Sequence, residues 1–322
     1  MRILIIGGTS FVGRAIAWAA WHRGHEVSVL NRGVTPNDLP EKIERLVGDR
    51  QGDLSALTGR DFDVTVDAIA YRPLDVEHLA SALGGRGGHY LQISSVSAYS
   101  DPGFEGSSEA TCTLWSEEGL DLEGSVTGAS YGPLKAASER AARDSFGDTL
   151  TIVRPTYVIG AHDATLRFPY WVERVRRGGE IAVPGPRANA LQYIDARDLA
   201  NFVVHVAEEG LSGAFHVAGP QPAGRFVEMV EQVATHLAPP GTTVHEISVE
   251  RVLELKLASK FPLWTGGESE NVLALDSSLA LSNGLDLRPL SDSVDDVRSW
   301  WGERAWPEHW LTSSDEIRLL GP

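Results

Sequence analysis

The chain opens on an uninterrupted apolar run, Ile3-Leu4-Ile5-Ile6, closed by Gly7-Gly8. A run without alternation fits a strand covered on both faces. Phe11 to Arg23 has helical composition and stops at Gly24. Short apolar runs return at Glu26–Leu30, Arg45–Val47, Asp63–Asp67, His89–Ile93 and Leu150–Arg154. Helical stretches lie between them at Leu74–Leu83 and Ala136–Phe146. Strands alternating with helices predict an α/β fold with a doubly wound parallel sheet. Ligands of such sheets bind at the carboxyl ends of the strands, where the strand order reverses.

After Tyr157 the rhythm changes. Phe168–Arg177 is a helical segment whose aromatic residues recur near helical spacing, which suits either a core stripe or a substrate wall. Gln192–Ile194, Asp198–Glu209 and Ala214–Val217 look like a return to the sheet, and helices are expected at Arg225–His236 and Ser291–Trp301. The expected organisation is a dinucleotide-binding domain over residues 1–160 with 190–220 returning to it. Residues 161–189 and 221–322 then form a smaller C-terminal α/β substrate-binding domain. Ser100 to Gly128 is rich in Gly, Ser and Glu and long for a loop, so it is either a lid or a surface excursion.

Composition narrows the partners. With 28 Lys and Arg against 44 Asp and Glu, the net charge is −16. Such a surface repels nucleic-acid backbones and anionic lipid, so neither nucleic acid nor membrane is an expected partner. No apolar run is long enough to span a bilayer, the N-terminus does not read as a signal peptide, and the single Cys112 forms no internal disulfide. A cytoplasmic protein is expected. The histidines show no H-E-x-x-H pattern, so no metal site is expected.

The first loop carries candidate chemistry. Gly7-Gly8-Thr9-Ser10-Phe11-Val12-Gly13 lies between a strand and a helix, the setting that gives a glycine-rich pattern its meaning. Gly7 suits the tight turn, a helix N-terminus faces a pyrophosphate, and Gly13 lets helix and strand pack closely. Ser10 replaces the middle glycine of the fingerprint. Strand two ends in Asn31-Arg32, where an NAD site usually has an acidic residue. Arg32 can hold a 2′-phosphate, so NADP is expected, with NAD the alternative. Asp49 and Arg50 follow strand three, and Ala68, Ile69 and Ala70 follow strand four. All five are placed to line the nucleotide.

The stretch Gly128-Ala129-Ser130-Tyr131-Gly132-Pro133-Leu134-Lys135 admits two readings. G-x-S-x-G is a hydrolase nucleophile elbow, but that elbow needs a buried strand before it, and LDLEGSVT makes a poor one. Y-x-x-x-K puts a phenol and an ammonium on one helix face. The ammonium favours the phenolate and suits the tyrosine to acid–base work. Ser95, in Ser94-Ser95-Val96-Ser97-Ala98-Tyr99, would hold the substrate oxygen. Pro133 is comfortable only in a first helical turn, so the helix either begins near Ser130 or is kinked there.

These motifs resemble the extended short-chain dehydrogenases/reductases, the NAD-dependent epimerase/dehydratase family, over nearly the whole chain. GGTSFVG, ISSVSAY, YGPLK, RPTYV and YIDARDLA stand in the family's order. GGTSF with NRG is also similar to the subgroup that includes chloroplast stem-loop-binding proteins. The resemblance implies a Rossmann-type fold, with Ser95, Tyr131 and Lys135 catalytic. Ser94, Pro155, Tyr157 and Val158 would lie at the nicotinamide, and a homodimer is implied. Substrate contacts are expected from Val96, Ser97, Phe168, Trp171, Gln192 and Trp264. Val96-Ser97 replaces the Asp-Glu pair of sugar dehydratases, and Leu191 replaces an arginine common in nucleotide-sugar epimerases, with Arg187 the candidate substitute. The expected activity is NAD(P)-dependent oxidoreduction or epimerisation at a secondary alcohol or ketone of a small sugar-like or natural-product substrate. A non-catalytic NADP-binding sensor or scaffold is the alternative.

Overall fold

The computed structural model describes residues 1–185, 190–266 and 273–321. Arg187 lies outside the described residues. The chain divides into two compact units. The first comprises Met1–Thr156, Ala196–Ala218 and Leu275–Asp286, and the second Tyr157–Asp195, Gly219–Ala274 and Leu287–Pro322.

The first unit begins β1 (Arg2–Ile6), α1 (Phe11–His22), β2 (Glu26–Asn31), β3 (Glu44–Val47), β4 (Val64–Asp67), α2 (Pro73–Leu83) and β5 (His89–Ile93). A hairpin of β6 (Tyr99–Asp101) and β7 (Thr113–Leu114), the long α3 (Gly128–Phe146) and β8 (Leu150–Pro155) complete its first stretch. The second unit then supplies β9 (Tyr157–Ile159), α4 (Arg167–Arg177), β10 (Glu180–Pro184) and β11 (Ala190–Asp195). The chain returns to the first unit for α5 (Ala196–Glu209) and β12 (Gly213–Val217).

Among the described residues the first unit holds a seven-stranded sheet in the order β12-β8-β5-β4-β1-β2-β3, every neighbour parallel. The first strand pairs on one side with the second (Ile3 opposite Val27) and on the other with the fourth (Ile3 opposite Val64). The order therefore reverses at β1, and a crevice opens at its carboxyl end. Ile3 to Ile6 are buried on both faces, as their unbroken apolar run requires. α1 packs on α5 and α2 on α3, giving two pairs of helices that cover the sheet.

Three segments differ from the sequence expectation. Gln192–Ile194, expected to return to the main sheet, lies in β11 and pairs with β9 in the second unit instead. α3 starts at Gly128, eight residues before the alanine-rich stretch, because Thr127 and Ser130 form a reciprocal cap. Ser130 N–H donates to Thr127 Oγ1 at 3.2 Å, and Thr127 N–H donates to Ser130 Oγ at 2.9 Å. Pro133 then lies inside the helix, beyond its first turn. Residues 100–127 are also not an open loop, since β6 and β7 pair antiparallel within them.

In the second unit β9 and β11 run parallel, joined on the other edge of β11 by antiparallel β13 (Gly219–Arg225). α6 (Phe226–Leu237) packs on α4 and on a later helix at Leu290–Trp301. The aromatic stripe of α4 is core: Phe168, Tyr170 and Trp171 are fully buried.

Gly13 sets how closely α1 lies on the first turn, for a Cβ there would sit 2.2 Å from Gly7 O, a backbone atom that cannot swing aside. Gly13→Ala is expected to cost about 1–3 kcal/mol, the usual range for overpacking. An unchanged urea midpoint would show that the turn relaxes freely.

Candidate active site

The crevice at β1 is a cavity of about 370 Å³, lined by residues including Gly7, Thr9, Ser10, Asn31, Arg32, Asp49, Arg50, Gln51, Ile69 and Tyr71. Gly7 takes φ +82°, and a Cβ there would strike Ile69 at 2.7 Å. Ser10, the N-cap of α1, lines the cavity and makes no side-chain cap, so the N-terminus of the helix lies at the cavity's edge with its first-turn donors uncapped. Phe11 enters α1 at φ +36°, an uncommon conformation for a residue with a Cβ. Val12 and Gly13 continue the helix.

The nucleotide-facing residues divide into held and available. Asn31 Oδ1 accepts from Gly33 N–H at 2.7 Å and shapes the turn after β2. Asp49 Oδ1 accepts from Gln51 N–H at 3.0 Å. Arg50, expected at the nucleotide, lines the cavity with a guanidinium already engaged. It donates to both oxygens of Asp67 at 2.8 and 2.9 Å and to Asp75 O at 2.7 Å. Burial works against that charge, but the Asp67 carboxylate prevails and raises the Arg50 pKa. Tyr90 adds a third hydrogen bond to Asp67 at 2.9 Å. Arg32 is exposed and lines the cavity, with no hydrogen bond or ion pair to another described residue. It is the guanidinium placed to meet an anion. Cradle and donors fit a dinucleotide: a turn that only glycine tolerates, a helix N-terminus at the cavity's edge and a cation after β2.

The catalytic candidates gather beside this cavity. Ser95 caps a short 3₁₀ turn, Val96–Ala98, its Oγ accepting from Ser97 N–H at 3.1 Å. Val96 is buried and Ser97 exposed. The start of α3 lies directly on this turn: a Cβ on Gly132 would come 2.2 Å from Ser97 O. Tyr131 is thereby fixed next to the Ser95 turn. Lys135 is buried, and its Nζ donates to Ala70 O at 2.8 Å and Ile93 O at 2.7 Å. The ammonium lies 6.0 Å from the Tyr131 ring centroid and 4.9 Å from that of Tyr71. The two rings are 6.2 Å apart. Burial pushes the Lys135 pKa down to about 8, against the pull of Asp67 and Glu139. Tyr71 is half-exposed and links the pair to the cavity. Ser130 spends its hydroxyl on Thr127 and on Ser125 O at 3.0 Å, so the nucleophile-elbow reading has no support here.

A hydrogen-bonded chain, hidden from sequence inspection, braces these residues. Ser94 Oγ donates to the fully buried Glu139 at 2.5 Å, and Arg154 donates to the same carboxylate at 3.0 and 2.6 Å. Arg154 Nη1 donates to Tyr99 Oη at 2.7 Å. Tyr99 Oη stands 2.6 Å from His216 Nε2, and His216 Nδ1 stands 3.0 Å from Asp276 O. Since Asp276 O only accepts, the consistent assignment is a neutral imidazole protonated at Nδ1, with Tyr99 donating to Nε2. Glu109 accepts from His216 N–H at 2.6 Å, which ties the 100–127 segment to β12.

The remaining expected contacts divide between a strand end of the first unit and residues of the second. Pro155 closes β8, while Tyr157 and Val158 begin β9 in the second unit. Phe168 and Trp171, expected at the substrate, are core residues instead, and Trp171 Nε1 donates to Pro262 O at 2.8 Å. Trp264 belongs to the same core. Gln192 is fully buried and donates to Pro220 O and Gln221 Oε1. Large aromatic side chains at helical spacing bury more area in a core than at a site, which is why the stripe faces inward.

Residues 3–218 match the model of the NAD dependent epimerase/dehydratase family. The chain belongs to that family. It is 26% identical over 236 residues to the chloroplast stem-loop binding protein of 41 kDa b of Arabidopsis thaliana, covering 68% of this chain and 58% of that protein. A 2-alkyl-3-oxoalkanoate reductase of Stenotrophomonas maltophilia is 29% identical over 224 residues, covering 64% of this chain and 66% of the reductase. Against these relatives the chain spans less than two thirds of their length. The Thermus thermophilus UDP-glucose 4-epimerase, solved with NAD, superposes at a TM-score of 0.65 with 17% identity, covering 94% of this chain and all of the epimerase. Among the described residues no helix is long and apolar enough to cross a membrane, and no cluster of His, Cys, Asp or Glu could hold a metal ion.

Burial holds the His216 pKa below its ordinary 6.5, although Glu109 pulls it the other way. In the unfolded chain this imidazole takes up a proton as pH falls through its ordinary value, whereas in the fold it does so only at lower pH. Its stability contribution is therefore complete above the ordinary value and is lost as pH falls towards the depressed one. Lowering pH from about 7.5 to about 5.5 is expected to reduce the urea midpoint more in the wild type than in His216→Gln. Parallel losses would exclude His216 as the titrating group.

Proposed function

We propose that the protein interconverts a secondary alcohol and a ketone with NADP, through Ser95, Tyr131 and Lys135. One observation carries the reading: Gly132 docks the start of α3 on the Ser95 turn, with the Lys135 ammonium 6.0 Å from the Tyr131 ring, beside the cavity at the sheet's reversal point. A bound nicotinamide supplies or accepts the hydride at the reacting carbon. The chain's own residues manage the oxygen. Ser95 Oγ–H donates to it and orients the C–O bond. Tyr131 gives it a proton in the reducing direction and takes one in the oxidising direction. The positive charge on Lys135 stabilises the anion Tyr131 becomes on losing that proton. Lys135 keeps one N–H beyond its two backbone bonds, which is available to the cofactor ribose.

The cofactor preference rests on Arg32. It faces the cavity after β2, where it can donate paired hydrogen bonds to a 2′-phosphate. The relatives' names add support for small-molecule oxidoreduction: one is a 2-alkyl-3-oxoalkanoate reductase and another an isoflavone reductase homolog. The net charge of −16 disfavours a nucleic-acid partner.

Tyr131→Phe is expected to lower kcat about 10²- to 10⁴-fold while NADP binding stays within about threefold. Turnover at the wild-type rate would remove Tyr131 from the chemistry. Arg32→Ala is expected to weaken NADP by about tenfold or more and NAD by much less, read by isothermal titration. Equal losses would reject the 2′-phosphate assignment. Net consumption of NADPH marks a reductase, whereas turnover with the nicotinamide regenerated marks an epimerase.

A further inference from the structure

Trp115 stands out among the exposed aromatic residues of the first unit. It is 40% exposed, yet three hydrogen bonds hold it. Its N–H donates to Ala98 O at 3.0 Å, its Nε1 donates to Ser97 O at 3.2 Å, and Arg140 donates to its carbonyl. Arg140 also pairs with Glu117 at 3.1 Å, and Arg72 donates to Glu123 O at 3.3 Å, so this strap, residues 100–128, is tied at both ends of its acidic stretch Glu117–Glu123. The indole is fixed between the start of α3 and the Ser95 turn: its Nε1 would lie 3.1 Å from a Cβ on Gly132, the neighbour of Tyr131, and it bonds a carbonyl two residues from Ser95. Leaving a tryptophan this exposed forgoes the stabilisation of full burial, and anchoring it adds an entropic cost.

Resting on the alcohol–ketone reading above, we propose that Trp115 is a specificity-determining residue, a fixed apolar wall that selects substrates with an uncharged aromatic ring next to the reacting carbon. The indole N–H is spent on Ser97 O, so the side chain offers a flat apolar face and no donor for a sugar hydroxyl. Offset or edge stacking of a substrate ring is what such a face rewards. The strap also argues against a nucleoside diphosphate. From Ser100 to Gly128 it carries seven acidic residues and no Lys, Arg or His, so its field repels phosphate.

The test measures binding of acetophenone, dihydroxyacetone and UDP-glucose to the NADP-loaded protein by isothermal titration. Wild type is compared with Trp115→Ala, Trp115→Phe and Trp115→Leu. Acetophenone affinity is expected to fall about tenfold in the alanine variant, to stay within about threefold in the phenylalanine variant and to lie between in the leucine variant. Should the alanine variant fail to fold, the phenylalanine–leucine difference carries the same comparison. An affinity for acetophenone indifferent to the ring, no acetophenone binding at all, or tighter binding of UDP-glucose than of acetophenone overturns the proposal. Acetophenone binding that depends on Trp115 without NADPH oxidation upholds the wall and rejects the alcohol–ketone chemistry. NADPH oxidation indifferent to Trp115 does the reverse.

Discussion

One helix, α3, buries a lysine, a serine and a glutamate on the face that meets the sheet. Each must be satisfied there, because an unpaired buried charge costs far more than a hydrogen bond returns. Lys135 reaches Ala70 O and Ile93 O, Ser138 accepts from Gln92 at 2.7 Å, and Glu139 takes Ser94 and Arg154. These partners belong to the ends of β4, β5 and β8. A rotation of the helix by one residue, about 100°, would break all of them together. The net stabilisation from such a buried set is modest, since desolvation offsets much of the attraction. Its effect is on orientation: with Lys135 and Glu139 fixed, Tyr131, one turn earlier on the same face, has one direction to point.

The docking that sets orientation also sets distance. Gly132 lets α3 approach Ser97 O more closely than any side chain would allow, and the Thr127–Ser130 cap starts the helix early enough to carry Tyr131 into the Ser95 turn. Pro133 has no N–H to give the preceding turn, so the Ala129 carbonyl lacks its usual partner. The helix accepts that loss because its rotation is held from the lysine and glutamate side. The chain from Ser94 through Glu139, Arg154 and Tyr99 to His216 then links the strand ends that the helix rests on.

What could be read from the sequence follows from this division. The parallel strands were legible because burial on both faces leaves short, mainly apolar runs, and His89–Ile93 appears with the expected limits. The glycine loop and the Tyr131–Lys135 spacing were legible because their local context is short-range. For α3 two starts stayed open, near Ser130 or at the alanine-rich stretch with a kink, since Gly128, Gly132 and Pro133 are poor helix residues whose roles come from a cap and a neighbouring carbonyl. Arg50 pointed to the nucleotide by position, but its charge is taken by Asp67, 17 positions away. Tyr99 and His216 are separated by 117 positions, and no local pattern announces such a pairing. The aromatic stripe at Phe168 was compatible with two environments, and only three-dimensional burial distinguishes them.

The first unit treats anionic groups differently at its two ends. Arg32 follows β2, whereas the acidic strap follows β5, and β1 and β4 lie between them in the sheet. Three strand spacings are about 14 Å, beyond the Debye length of about 8 Å at physiological ionic strength. At those strand ends each charge system acts largely on its own surroundings. A cofactor phosphate near Arg32 is attracted without being opposed by the strap, and a phosphate near Tyr131 meets the strap's field without help from Arg32. The proposed preference for a phosphorylated cofactor and the proposed neutral substrate are therefore compatible within one acidic protein.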